Sequence, residues 1–288
     1  MPDQAEKLRE LVGTKRGIRV VSVSSGKGGV GKSFFSVNLA VALSRIGIRT
    51  LVIDADFGLA NVDVMLGVTS KYNLSHFLRG EKELSEIIQT GHHDVHLISG
   101  GSGVKDLLEM NEKQVETLLD GMTKLDMPID LIIIDTGAGV NEIVLQMALS
   151  ASEAIVITTT EPTSILDAYA FVKMLHKRNN TLPLHIVVNK YENIKEANRV
   201  LDGFLEFVGR NLGKNINPLG LIMYDQAVTH SIKRQVPIVV ESKSGEVSTQ
   251  IEQIARSLVD LPGENSSGGV FAKIFSRFNS IRNGHKNG

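Results

Sequence analysis

Residues 26–33 read Gly26-Lys27-Gly28-Gly29-Val30-Gly31-Lys32-Ser33, a full G-x-x-x-x-G-K-[ST] pattern set between a β-branched run at 18–24 and a stretch of helical period at 32–46. Such a loop works only between a strand and a helix. Its glycines let successive backbone N–H groups turn inward on phosphate oxygens, and the helix adds its positive N-terminal end. In that setting Lys32 neutralises phosphate charge and the Ser33 hydroxyl is placed to hold Mg²⁺.

The rest of the chain repeats that alternation. Strands are predicted at 18–24, 49–54, 95–99, 129–135, 154–159, 184–189, 219–223 and 238–240, and helices at 32–46, 112–125, 141–151, 164–177 and 197–212. The run Leu131-Ile132-Ile133-Ile134 is apolar on both faces, as a central strand covered from each side must be. The expected fold class is therefore α/β, a mostly parallel central sheet with helices on both faces, occupying residues 18–261 between two tails.

Charge and composition narrow the partners. The 288 residues carry 31 Lys+Arg against 32 Asp+Glu, a formal charge of −1 that argues against nucleic acid as a partner. Without cysteine the chain offers no disulfide, thiolate zinc site, iron–sulfur cluster or Cys nucleophile, which suits a reducing cytosol. The start Met1-Pro2-Asp3-Gln4-Ala5-Glu6 lacks the basic and apolar regions of a signal peptide, and no apolar run is long enough to span a bilayer. A cytoplasmic location is expected. His92, His93 and His96 lead into a strand whose alternation splits them between faces, so no metal centre is expected there.

Acids recur at strand ends. Leu51-Val52-Ile53-Asp54-Ala55-Asp56 closes a buried strand with two carboxylates two residues apart, hence on the same side. Bound Mg²⁺–nucleotide would offset their repulsion; an exposed acidic turn is the alternative. Ile134-Asp135-Thr136-Gly137-Ala138-Gly139 likewise puts an acid at the end of an apolar strand, ahead of a glycine-rich segment. The amide of Asn189 can pair with a ring acceptor and the exocyclic amine of adenine, or else cap the following helix. A guanine-reading N-K-x-D is missing, because Tyr191 and Glu192 follow Asn189-Lys190, so ATP is favoured over GTP.

Lys27 sets the loop apart by adding a second cation directly after the first glycine. K-G-G-x-G-K-[ST] resembles the deviant Walker A loop of the MinD/ParA ATPases, and the resemblance covers about residues 18–261. It implies a slow ATP hydrolase that uses ATP and Mg²⁺ and forms an ATP-dependent homodimer, with Lys27 reaching the partner subunit's nucleotide. By the same resemblance Gly26, Gly28, Gly29, Val30, Gly31, Lys32 and Ser33 cradle the phosphates, and Ser33, Asp54 and Asp135 form the magnesium shell, Asp135 through water. Asp56 would serve the attacking water, Gly137 would offer a backbone N–H to the γ-phosphate, and Asn189 would contact adenine. Residues 219–225 resemble the family's base-edge loop, with Met223 where relatives often have proline. Residues 161–167 resemble its post-strand segment near the dimer and partner surface; read alone they are a loop and cap, with Thr163 or Ser164 starting a helix.

The tails select a branch. Residues 262–269 are a flexible linker by composition, and 270–282 follow as a separate segment. On a helical wheel Val270, Phe271, Ile274, Phe275, Phe278 and Ile281 fall within an arc of roughly 140°, with Lys273 and Arg277 at one edge and no acid. This is the composition of a helix lying on an anionic membrane; packing on the domain or gripping a protein is the alternative. Residues 3–12 read as a weak helix capped by Asp3 that orders on a partner, or as a frayed terminal turn. Asp3, Gln4, Ala5, Leu8 and Arg9 match D-Q-A-x-x-L-R, the N-terminal motif of the FlhG (YlxH/FleN) branch of the MinD-like ATPases. That resemblance implies control of the number and placement of bacterial flagella, stimulation of the GTPase FlhF through those five residues, contact with flagellar C-ring proteins, and reversible attachment to the inner face of the cell membrane. The competing functions are a ParA-type DNA-partitioning ATPase, a MinD-type division-positioning ATPase, and a scaffold that keeps nucleotide without turnover.

Overall fold

A computed structural model describes residues 18–56, 61–101 and 127–261. Within them eight strands form one sheet: β1 (Arg19–Ser25), β2 (Thr50–Ala55), β3 (Ile88–Thr90), β4 (His96–Ile98), β5 (Leu131–Ala138), β6 (Glu153–Thr158), β7 (Leu184–Tyr191) and β8 (Asn217–Met223), in the order β3-β4-β2-β5-β1-β6-β7-β8. All neighbours pair parallel except β3, which runs antiparallel to β4 at one edge. At the other edge β8 carries Pro218, a residue an outer strand tolerates because it lacks the N–H a central ladder needs.

The described helices are α1 (Lys32–Arg45), α2 (Val62–Met65), α3 (Leu74–Leu78), α4 (Leu84–Ile87), α5 (Glu142–Ser150), α6 (Pro162–Arg178), α7 (Ile194–Leu212), α8 (Gln226–Arg234), α9 (Ile238–Glu241) and α10 (Glu246–Asp260). Alternation along the strands decides which helix each side chain meets. Val21, Val23, Ile133, Ile155 and Val187 pack on one face with α1, α9 and α10. Their neighbours Val20, Ile132, Ile134, Val156 and Ile186 point to the other face, toward α3, α4, α5, α6 and α7. The expected doubly covered parallel sheet is the observed one. Phe34 and Phe35, directly after the phosphate loop, are both buried in the first of these cores.

One predicted strand is not a strand. Residues 238–240 belong to α9, which starts after Pro237 and buries Ile238 and Val239 against α1. There the Val239 N–H donates to Asn38 Oδ1 and Arg45 Nη1 donates to the Val239 carbonyl. A three-residue β-branched run has too little length to set its own period, and tertiary partners decided it. Helix starts moved as well: α6 begins at Pro162 with Glu161 as N-cap, and α7 begins at Ile194, where Asn193 accepts from the Lys195 and Glu196 N–H groups. The strand β3 and the helices α2, α3, α4, α8 and α10 come in addition to the elements expected. The expected helix at 112–125 and both tails lie outside the described residues.

At the sheet's N-terminal edge Arg19, Glu153 and His185 form a buried ionic group across β1, β6 and β7. Arg19 Nε and Nη2 both donate to the Glu153 carboxylate, and Arg19 Nη1 donates to the Leu258 carbonyl at 2.7 Å, tying the end of α10 to the start of β1. Burial alone would raise the Glu153 carboxyl, but hydrogen bonds and charge from Arg19 and His185 hold it below the ordinary glutamate range.

Candidate active site

The loop after β1 folds as its glycines require. Gly31 is the residue before α1 and sits at φ 92°, and a Cβ there would lie 2.3 Å from Asn189 Nδ2. Both conformation and space therefore demand glycine. The loop lines a cavity of about 420 Å³ that also meets Asp56, Asn61 and Asn189. Met65, Met223, Val228 and Ile232 add apolar surface to the same lining, beside Tyr224. Polar, cationic and apolar groups around one cavity match what a nucleotide presents. Met65, Val228 and Ile232 were not foreseen from the sequence; the apolar spacing Val228-x-x-x-Ile232 on α8 was the signal available.

Parallel pairing places Asp54 of β2 directly beside Asp135 of β5. Asp135 is fully buried; its Oδ1 accepts 2.7 Å from the Ser36 hydroxyl, and its Oδ2 is buried with no hydrogen-bond partner among the described residues. Burial raises its pKa, opposed by the charge of Lys32 and by hydrogen bonds from Ser33 and Ser36. Asp54 is 1% exposed and its pKa is pushed up to about 7, first by burial and then by the charge of Asp135. Its Oδ1 accepts from the Asp56 N–H at 3.1 Å and its Oδ2 from the N–H groups of Asn61 and Val62, at 3.0 and 3.2 Å. Asp54 thus also anchors the start of α2. Asp56 lines the cavity close to Gly137, its Oδ1 3.7 Å from where a Gly137 Cβ would stand.

These residues fit a magnesium ion. An orphaned buried oxygen on Asp135 and two adjacent carboxylates whose burial favours the protonated form are groups that a hard cation would satisfy. Ser33, Asp54 and Asp135 would hold it, and bound Mg²⁺ would neutralise phosphate charge next to Lys32.

Lys27 points elsewhere. Its Nζ donates to Glu161 Oε2 at 2.8 Å and to Thr163 Oγ1 at 3.0 Å, so it leaves its own loop for the first turn of α6. The charge of Lys27 holds the Glu161 carboxyl below its usual range, chiefly through that hydrogen bond. Thr163 is therefore a partner of Lys27, while Ser164 accepts from the Thr159 N–H at 3.1 Å. Asn189 does not cap α7, the role taken by Asn193; its Nδ2 donates to the Val30 carbonyl at 2.8 Å and its Oδ1 accepts from the Lys190 N–H at 2.9 Å. His96 lies on β4 with its ring 3.1 Å from Thr90 Oγ1, away from this site. Residues 3–9 and 270–281 lie outside the described residues.

Residues 17–259 match the ParA family model, described as the NUBPL iron-transfer P-loop NTPase. The chain belongs to the MinD/ParA family of P-loop ATPases. Iron transfer in that description finds no thiolate here, since the chain has no cysteine. Within the MinD/ParA family it resembles the antiactivator FleN of Pseudomonas aeruginosa, 30% identical over 87% of this chain and 90% of that protein. It resembles equally the flagellum site-determining protein YlxH of Helicobacter pylori, 32% identical over 90% of this chain and 91% of that one. These matches place it with the FlhG-like members. In structure, the MinD of the MinC:MinD cell division complex of Aquifex aeolicus superposes with a TM-score of 0.67 at 25% identity, over 85% of this chain and 96% of that one. As a MinD/ParA member the chain is an ATP-binding enzyme, with the phosphate loop, Asp56, Ala138 and Asn189 lining one cavity and Asp54 beside Asp135 on neighbouring strands.

Proposed function

We propose that this ATPase is a nucleotide-driven switch that sets the number and placement of bacterial flagella. The observation that carries the reading is similarity to FleN and YlxH, both named for flagellar control, along about nine-tenths of the chain. ATP and Mg²⁺ occupy the cavity, two chains close face to face, and each Lys27 leaves Glu161 for the partner subunit's phosphates. The position of Lys27 supports this, because its side chain is 38% exposed and stands outside its own loop. Exposed ion pairs of this kind are weak and exchange readily for a phosphate. Asp56 orients the attacking water, the Gly137 N–H takes the γ-phosphate, and slow hydrolysis separates the pair.

The closed pair engages its two outputs. Residues 270–281 lay Val270, Phe271, Ile274, Phe275, Phe278 and Ile281 on anionic lipid, with Lys273 and Arg277 at the headgroups. Asp3, Gln4, Ala5, Leu8 and Arg9 stimulate GTP hydrolysis by FlhF, and the body handles flagellar C-ring proteins. The deciding experiment measures the solution mass of the Asp56→Ala chain with Mg-ADP and with Mg-ATP. A dimer with ATP alone is expected. A monomer under saturating Mg-ATP would remove the switch, and a peptide of residues 1–17 that leaves FlhF turnover unchanged would remove the partner assignment.

A further inference from the structure

We propose that Ser36, one turn into α1, is a positioning residue for magnesium: its hydroxyl holds Oδ1 of Asp135 and so fixes the plane of that carboxylate, leaving Oδ2 for the ion. The sheet offers Asp135 no donor of its own. In register its neighbours are Val23 of β1 on one side and Asp54 of β2 on the other, an apolar side chain and a second acid. Side chains alternate along a strand, so Asp135 shares the face of Ile133, which packs against α1. A side-chain donor must therefore come from that helix. Ser33 and Ser36, three positions apart, lie on one side of α1, and both hydrogen-bond this carboxylate.

Orientation is what the second serine adds. The last torsion of an aspartate is soft, so burial alone does not set the plane of its oxygens. Ser36 is well placed to set it, because the residue is wholly buried and its Oγ stands 2.7 Å from Asp135 Oδ1 and 3.2 Å from the Lys32 carbonyl. One hydroxyl carries one proton, and the shorter contact with the charged acceptor takes it. The nearby Lys32 carbonyl, four residues back, marks the side-chain rotamer as the one turned toward the preceding turn. With Oδ1 held in this way, Oδ2 is the oxygen that stays buried with no partner among the described residues. The turn of α1 that carries Lys32 and Ser33 thus also carries the group that aims Asp135, so a single rigid element sets the carboxylate relative to the phosphate loop.

This inference rests on Ser33, Asp54 and Asp135 holding Mg²⁺, and the test separates the two. Calorimetry on the full chain gives the dissociation constant of ADP in EDTA and that of Mg²⁺ for the ADP complex. The variants are Ser36→Ala, Ser36→Thr, Asp135→Ala, and Ser36→Ala combined with Asp135→Ala. Ser36→Ala is expected to weaken Mg²⁺ about tenfold, the scale of one lost bond to a charged group, and to leave metal-free ADP as in the natural chain. Threonine keeps the hydroxyl and can take the rotamer facing the carbonyl four residues back, so Ser36→Thr restores Mg²⁺. On Asp135→Ala the serine change adds nothing, because Ser36 acts through that carboxylate. Equal or tighter Mg²⁺ in Ser36→Ala, or a loss that persists on Asp135→Ala, overturns the proposal. So does an equal weakening of ADP with and without metal, since Ser36 would then serve the packing of α1 and its loop. Should Asp135→Ala not fold, Ser36→Thr decides, and a loss matching that of Ser36→Ala counts against the hydroxyl. A natural chain whose ADP complex takes up no Mg²⁺ would sink the magnesium site itself, and the positioning role with it.

Discussion

Asp54 carries two tasks that pull on its proton. It accepts from the N–H groups of Asn61 and Val62 at the start of α2 and from that of Asp56 after β2, and it stands beside Asp135 with no counter-ion among the described residues. Burial, then the charge of Asp135, pushes it up to about 7. The folded chain thus holds this proton more tightly than the unfolded chain, so the group favours the fold at low pH and that advantage is lost as pH rises through about 7. Asp135, raised mainly by burial, acts with the same sign. A magnesium ion replaces the proton, so its stabilising effect must grow over the same interval. The Tm of the metal-free chain is expected to fall between about pH 5 and about pH 7, and the gain in Tm from Mg-ADP to be larger at the higher pH. Equal gains at both would show that the ion does not meet these carboxylates. The positions of Lys27, Lys32, Ser33 and Asp135 at the loop and strand end were legible from the sequence because each belongs to a local motif of fixed spacing. The bond from Asn189 to Val30 was not, since a side chain meeting a carbonyl 159 positions away leaves no pattern along the chain.

Elements behave differently, because a strand is read by its period and a helix by its face. The central strands declared themselves as apolar runs, and the run 131–134, apolar on both faces, predicted the helices found on each side. The failure at α9 and the unforeseen α10 have one cause. Ile238 and Val239 bury on α1 through contacts some 200 positions away, as α10 does through Ile251, Ile254 and Leu258, and only tertiary structure supplies those partners. The Arg19–Glu153–His185 group joins three strands and binds α10 through the Leu258 carbonyl in its last turn. A buried pair opened on one side leaves an uncompensated charge. Glu153→Ala should therefore destabilise the fold by roughly 3 kcal/mol in urea titration, the usual cost of stranding the remaining ion. Nucleotide affinity at the opposite end should hold. A loss under about 1 kcal/mol would mean that Arg19 finds water or another acceptor, and that the group does not pin the sheet.

On the scale of the molecule the chain has two poles. Loop 26–33, Asp54, Asp135 and Asn189 all sit where parallel strands end, the usual crevice of such sheets. The tails begin at the other pole, for residue 19 opens β1 and is bonded to Leu258 in the last turn of α10. The length of β1, seven residues, separates the poles by about 20 Å. The cavity therefore lies far from the roots of both tails, and under the proposed switch it is the pairing of chains that links the two. If residues 270–282 meet lipid as proposed, one such segment with three phenylalanines and few cations would bind weakly, whereas two on one body would bind through effective concentration. Sedimentation with vesicles of anionic lipid should then give about a hundredfold stronger association for ATP-trapped Asp56→Ala than for the ADP form. A mixed pair in which one chain ends at residue 261 should fall back to the level of the ADP form while its mass stays that of a dimer. If that one-tailed pair binds as strongly as the full pair, lipid is held by the body or by a single segment, and chain pairing is not what delivers this protein to the membrane.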